Sequence, residues 1–351
     1  MAEKFLLNEA KVKSVQLDAL VVMKIVKHVD SEFYSGMSDV AGETCAGILT
    51  GLIATDDHRL EVTNCFPTPR AEVIIEGEEY GQGVSQSDEG KHTEITDMLK
   101  RFRDMNIDYE LVGFYQAHKF GACFTQEVID SLVDYQTIFQ DGVVIVYDPV
   151  RTRQGQLSLR AFRLTNKALE LSLSGDWSPE TVKNAGLTHE TMLEELPIVI
   201  RNSHLINVLL SQLSIVRPNK AAPHLELGTG RSMEKCIRSL LGNVDELNKS
   251  VGAYNKYVSE KQRYDAICNS LVQKRQAENE QRIARGEPPL SVDEIKRNMK
   301  TPQLMTRGGM LDIFLNASNA NAFADYATEI TKENLAKLFI SEAVADSVGD
   351  A

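Results

Sequence analysis

Val112–Asp130 reads VGFYQAHKFGACFTQEVID, and the order of elements around it follows from this one stretch. Glu110–His118, ELVGFYQAH, is rich in aromatic and apolar residues and reads as a strand. FTQEVIDSLVDYQ follows as a helix, because Thr125 suits an N-cap and Val128, Ile129, Leu132 and Val133 recur at helical spacing. The next run, DGVVIVYDP, is β-prone and is stopped by Pro149. QLSLRAFRL alternates polar and apolar residues, so it predicts a strand paired antiparallel to that run.

Upstream, Val15–Leu17 reads as a short strand. Leu20, Val21, Met23, Ile25, Val26 and Val29 suit a helix with Asp18 as its N-cap. CAGILTGLIAT, from Cys45 to Thr55, is a buried strand. A turn at Asp56–His58 leads to its partner LEVTNCFPTP. Ser87–Met105 is an amphipathic helix with Ile95, Met98, Leu99 and Phe102 inward. Residues 12–165 thus form one domain of the α+β or α/β class, with a mixed sheet flanked by helices.

Residues 166–230 connect this domain to the rest, with LPIVI as a strand and HLINVLLSQL as a helix. Residues 231–351 form a helical region. Its longest element runs from about Ser232 to Ala284. There Ile237, Leu240, Val244, Leu247, Val251, Tyr254 and Val258 step alternately by three and four, a heptad seam suited to packing on another helix. The seam either docks on another chain or folds back on its own domain. Met310–Ile330 predicts a further helix. Thr331 then caps a final one lined by Leu335, Leu338 and Phe339.

Composition excludes several function classes. A net charge of -12 repels phosphate backbones, so strong autonomous nucleic-acid binding is not expected. No apolar run is long enough for a membrane span, and the first residues, MAEKFLLNEAKVKS, resemble no targeting peptide. The five cysteines are scattered without a C-x-x-C pair, as expected for buried thiols in a reduced compartment.

The Val112–Asp130 unit resembles the metal-binding element of the MPN (JAMM) deubiquitinase family. Active members carry H-x-H-x7-S-x2-D and an upstream glutamate. Two imidazoles and a carboxylate hold zinc there, the glutamate handles the proton of a zinc-bound water, and the serine supports the oxyanion. Against that pattern the first histidine position is Gln116, and the second is His118, which matches. The serine position is Gln126 and the aspartate position is Ile129. Asp130 is adjacent, but one residue along a helix is a rotation of about 100°. The glutamate position is Thr44, with Glu43 one residue earlier. One ligand of three survives, so no catalytic or metal site and no cofactor is expected. Cys123 near His118 could suggest a nucleophilic pair, but no orienting acid accompanies it, and a buried thiol is the expectation.

The likeness narrows further. Gly113–Ser131, Val143–Thr165 (VVIVYDPVRTRQGQLSLRAFRLT), Glu194–Leu210 (EELPIVIRNSHLINVLL), Arg275–Leu290 (RQAENEQRIARGEPPL) and Glu333–Phe339 (ENLAKLF) are similar to the family of h subunits of eukaryotic translation initiation factor three. His118 departs from that family, where a small polar residue is expected. The C-terminal stretches separate this family from the inactive MPN subunits of the proteasome lid and the signalosome. The resemblance implies an MPN fold with a mainly antiparallel mixed sheet and a cytoplasmic, non-catalytic scaffold role. The implied partners are the factor's other MPN subunit and its PCI-domain subunits, with the small ribosomal subunit and any RNA reached through the complex.

Overall fold

The computed structural model describes residues 12–34, 45–54, 58–68, 86–139, 141–154, 156–216, 227, 231–286, 288 and 309–349. Among the described residues eight strands form one sheet: β1 (Ser14–Asp18), β2 (Cys45–Ala54), β3 (Arg59–Pro67), β4 (Leu111–Ala117), β5 (Val143–Tyr147), β6 (Leu159–Leu164), β7 (Leu193–Leu196) and β8 (Ile198–Arg201). Their order is β7-β6-β5-β4-β2-β3-β1-β8. The β1–β3, β1–β8 and β4–β5 pairs are parallel and the other four antiparallel, so the sheet is mixed and mainly antiparallel.

The sheet curls because one segment serves both of its edges. β7 pairs with β6, and one residue later, past Pro197, β8 pairs with β1. Residues 193–201 therefore belong to the sheet, and the expected boundary at 165 falls inside it. The stretch LEELPIVIR is short and half exposed, so its alternation carried too weak a signal to show two edge strands. Arg163, 7% exposed, ties this closure together. Its guanidinium donates to the Val12 carbonyl (2.8 Å) and Glu194 (2.8 Å), and lies 3.6 Å from Asp141. Asp141 in turn accepts from the Val12 N–H at 3.1 Å.

Helices cover both faces. α1 (Ala19–Tyr34) lays Val21, Ile25 and Val29 on one core with Leu17, Leu49, Val62, Tyr115 and Ile145. Gly47 faces Tyr115 across the β2–β4 pair, and any side chain there would collide with the Tyr115 ring. α2 (Gln86–Asp104) seats Phe102 edge-on against Phe66, with ring centroids 5.5 Å apart. The register Phe66–Ile48–Phe114–Val144–Phe162 puts α2 on the same face as α3 (Gln126–Ile138), α5 (Asn166–Ser174), α6 (Pro179–Ala185) and α7 (His189–Met192), opposite α1, while the single turn of α4 (Pro149–Arg153) follows β5. α8 (His204–Val216) leaves β8 with Leu205 83% exposed.

Two long helices follow among the described residues, α9 (Arg231–Ala284) and α10 (Met310–Gly349). α10 is continuous, so Thr331 is not a cap. Its hydroxyl donates instead to the Ala327 carbonyl at 2.7 Å, the back-bond of a mid-helix threonine. α9 and α10 pack antiparallel, as the Cys236–Phe323 (3.7 Å) and Asn243–Asn316 (2.8 Å) bonds show. The predicted heptad face is thus partly covered by the chain's own helix. Leu240, Val244, Leu247, Tyr254 and Val258 are half-buried, Cys236 takes the innermost position, and Ile237 (43%) and Val251 (38%) stay largely exposed.

Replacing Arg163 with Ala leaves the Asp141 carboxylate buried without its cation. Removing one partner of a buried pair costs about 3–5 kcal/mol. Urea unfolding of Arg163→Ala is expected to show a loss of at least about 3 kcal/mol, and a loss under about 1 kcal/mol would contradict this role.

Candidate functional site

The strand–loop–helix unit stands where the sequence placed it. β4 ends at Ala117, a 3-10 turn spans Lys119–Gly121, and α3 begins at Gln126. Thr125 caps α3 by accepting from the Val128 N–H at 3.4 Å. A side chain at Gly113 would run into the Val143 carbonyl of β5, so glycine is required at that close approach.

The positions matched above to the zinc ligands of active MPN domains lie in different surroundings. Gln116 is 8% exposed, and its Oε1 has no hydrogen-bond partner among the described residues. His118 is half-buried. Its Nδ1–H donates to the Lys119 carbonyl at 2.8 Å, and burial lowers its pKa from the usual imidazole value. Gln126 is exposed and faces a cleft with Asn243, Lys249 and Asn316. Ile129 is 1% exposed and packs with Cys123, Phe124, Val128 and Leu132. A carboxylate at this position would be desolvated among apolar groups. Asp130 points to solvent. Thr44 lies outside the described residues. Among the described residues no three His, Cys, Asp or Glu side chains gather into a metal-binding group.

Cys123 offers no nucleophile. It is 1% exposed, and burial pushes its thiol up to about 12, which leaves almost no thiolate at neutral pH.

The loop after His118 makes contacts that the sequence reading missed. Phe120 adopts φ 68° and ψ 10°, left-handed for an aromatic residue. Its ring packs against Tyr326 (centroids 5.0 Å, 69° between planes) and Phe323 (6.3 Å) of α10. Asn319 of α10 pairs with both backbone groups of Phe124: the Phe124 N–H donates to Asn319 Oδ1 at 3.0 Å, and Asn319 Nδ2 donates to the Phe124 carbonyl at 2.8 Å. Arg151 of α4 forms ion pairs with Glu329 and with Glu333 (3.3 Å). A signal was available. Leu311, Leu315, Ala322, Tyr326 and Ile330 form one buried stripe of α10, and Asn319 falls at its polar centre.

Asp148 underlies this junction. It is 2% exposed and caps α4, accepting from Val150 (2.9 Å) and Arg151 (3.3 Å). Burial raises its carboxyl to about 6, against the opposing pull of hydrogen bonds from the Arg151, Val150 and Phe120 backbones.

Sheet, flanking helices and the strand–turn–helix unit define an MPN-type domain. The JAB1/Mov34/MPN/PAD-1 ubiquitin protease family matches residues 10–141, and the family of the C-terminal region of eIF3h matches residues 152–349. The chain is 61% identical to the eukaryotic translation initiation factor 3 h subunit of Brugia malayi, over 96% of this chain and 93% of that protein. It is 51% identical to the h subunit of Caenorhabditis elegans (99% and 95% covered) and 37% identical to the H-B form of Danio rerio (96% and 95%). The chain belongs to the family of h subunits of eukaryotic translation initiation factor 3. That family bears the name of a translation initiation factor, and no described helix is long and apolar enough to cross a membrane.

Asp148 predicts a pH dependence. Its folded pKa of about 6 lies above the 3.8 of an exposed carboxyl. Its contribution to stability is therefore full below about pH 4 and lost as pH rises through about 6. Asp148→Asn does not titrate. Its stability relative to the parent is expected to improve by about 2 kcal/mol between pH 4 and pH 7 in urea unfolding. A difference that stays flat over that range would contradict the assignment.

Proposed function

We propose that this chain is a non-catalytic scaffold subunit of the initiation factor 3 complex, which joins other subunits and supports small ribosomal subunit binding in the cytoplasm. The observation that carries the reading is Ile129, a 1%-exposed core residue at the position where an MPN protease needs its metal-ligating carboxylate. Neither Gln116, Gln126 nor Cys123 supplies a substitute for that chemistry.

Two exposed apolar surfaces support assembly. On α10, Leu335 (54%), Leu338 (50%) and Phe339 (62%) line one side, and Ile237, Leu241 and Val251 remain exposed on α9. At the other end, Leu20 and Met23 of α1, Val199 and Ile200 of β8, and Leu205, Val208 and Leu209 of α8 are exposed. The Ala19 N–H donates to Asn202 at 2.9 Å, which brings the start of α1 beside the β8–α8 junction. Apolar surface of this extent marks contact sites, and the partners it suits are the complex's MPN and PCI-domain subunits.

Affinity purification of the tagged chain from cells is expected to recover other initiation factor 3 subunits and the small ribosomal subunit. Leu335→Asp/Phe339→Asp should lower that recovery at least about tenfold, because each charge would be desolvated at the contact. Its unfolding midpoint should stay within about 2 °C, as for surface changes. Unchanged recovery would remove the α10 stripe from the assembly surface. Isopeptide cleavage by the purified chain, abolished in His118→Ala, would overturn the non-catalytic reading.

A further inference from the structure

The loop between β4 and α3 carries an inference that goes beyond assembly. In a metal-dependent MPN domain an ion would link the end of β4 to α3. Here the same region is linked by α10, from the far end of the chain.

Three features support this. Phe120 holds a left-handed backbone at φ 68°, which a side chain with a Cβ disfavours by about 1–2 kcal/mol. Strain of this kind persists only where surrounding contacts over-determine it. The contacts present are Tyr326, Phe323 and Ile330 of α10 and Cys236 of α9, which share one buried cluster with Phe120 and Ala122. Second, Asn319 satisfies both the N–H and the carbonyl of Phe124 across 195 residues of sequence. Backbone groups of a short loop without ladder partners are thereby paired. Third, Arg151 and Asp148 frame the seat from the domain side: Arg151 pairs with Glu329 and Glu333, and Asp148 accepts from the Phe120 N–H.

We propose that the vestigial-site loop is a socket for the chain's own C-terminal helix, in which Phe120 and Asn319 are the positioning residues. The socket takes the structural part that a bound metal would play and holds β4, α3 and α10 in one arrangement. Because α10 continues without a break to Gly349, the socket also sets the direction in which Leu335, Leu338 and Phe339 leave the domain. From Glu333 to Gly349 the helix extends a further 24 Å or so, at about 1.5 Å per residue.

Hydrogen exchange on the full-length chain tests this. Asn319→Ala removes two hydrogen bonds. Phe120→Gly removes the ring but relieves the backbone strain, so it separates the two sources of order. Both are expected to speed exchange at least about tenfold in residues 118–126 and in 311–330 together. The β5 amides, residues 143–147, should keep their protection. Tyr326→Phe keeps the ring and should match the parent chain. The proposal is overturned if Phe120→Gly protects the loop as well as or better than the parent, for the loop would then order itself. Loosening of α10 with an unchanged loop would overturn it. So would a loss that includes β5, or a Tyr326→Phe variant as loose as Asn319→Ala.

Discussion

Asn319 lies in the buried stripe of α10 and gives both ends of its amide to Phe124, at 3.0 and 2.8 Å. This contact stands between the two halves of the molecule. On one side is the curled sheet with its strand–turn–helix unit, and on the other the antiparallel pair α9–α10. Asn319 is half-buried, and an amide there that loses one partner forfeits a hydrogen bond worth about 1 kcal/mol. The geometry is therefore specific in a way that apolar packing alone is not. Phe120, Phe323 and Tyr326 add apolar area around it, and Arg151 with its two glutamates closes the rim.

The proposed absence of a zinc site follows the same physics. A metal site needs deprotonated, polar side chains gathered at one point, and each is expensive to bury without the ion. Ile129 in place of a carboxylate removes that expense and adds apolar packing under α3. Gln116 is a buried amide whose Oε1 has no hydrogen-bond partner among the described residues. Such a domain draws its stability from its cores and from the Arg163–Asp141–Val12 closure.

Much of the fold was legible in local patterns. Strands β1 to β6, helices α1 to α3 and α9, and the Thr125 cap follow from alternation, helical spacing and turn residues. The residues of the candidate site, Gln116, Gln126 and Ile129, were legible as identities read against a fixed spacing, and that they hold no metal belongs to the proposal. What was not legible depends on long-range contact. Residues 193–201 close the sheet by joining two edges, and no pattern within nine residues reveals both partners. The break expected at Thr331 is absent because α10 packs through that point, and Ile330 is 1% exposed. The heptad seam was visible, but periodicity names a face and not its occupant. The structure lays α10 of the same chain along part of it and leaves Ile237 and Val251 exposed.

In the proposed scaffold the β4–α3 loop is held by protein contacts and not by an ion. Thermal unfolding of the full chain with and without an excess of a zinc chelator, beside elemental analysis of the same sample, tests it most directly. A chain that depends on its metal unfolds when the metal is removed. No stoichiometric zinc is expected, and the midpoint should move by less than about 1 °C. One zinc per chain, lost in His118→Ala, together with a fall of several degrees on chelation, would contradict it.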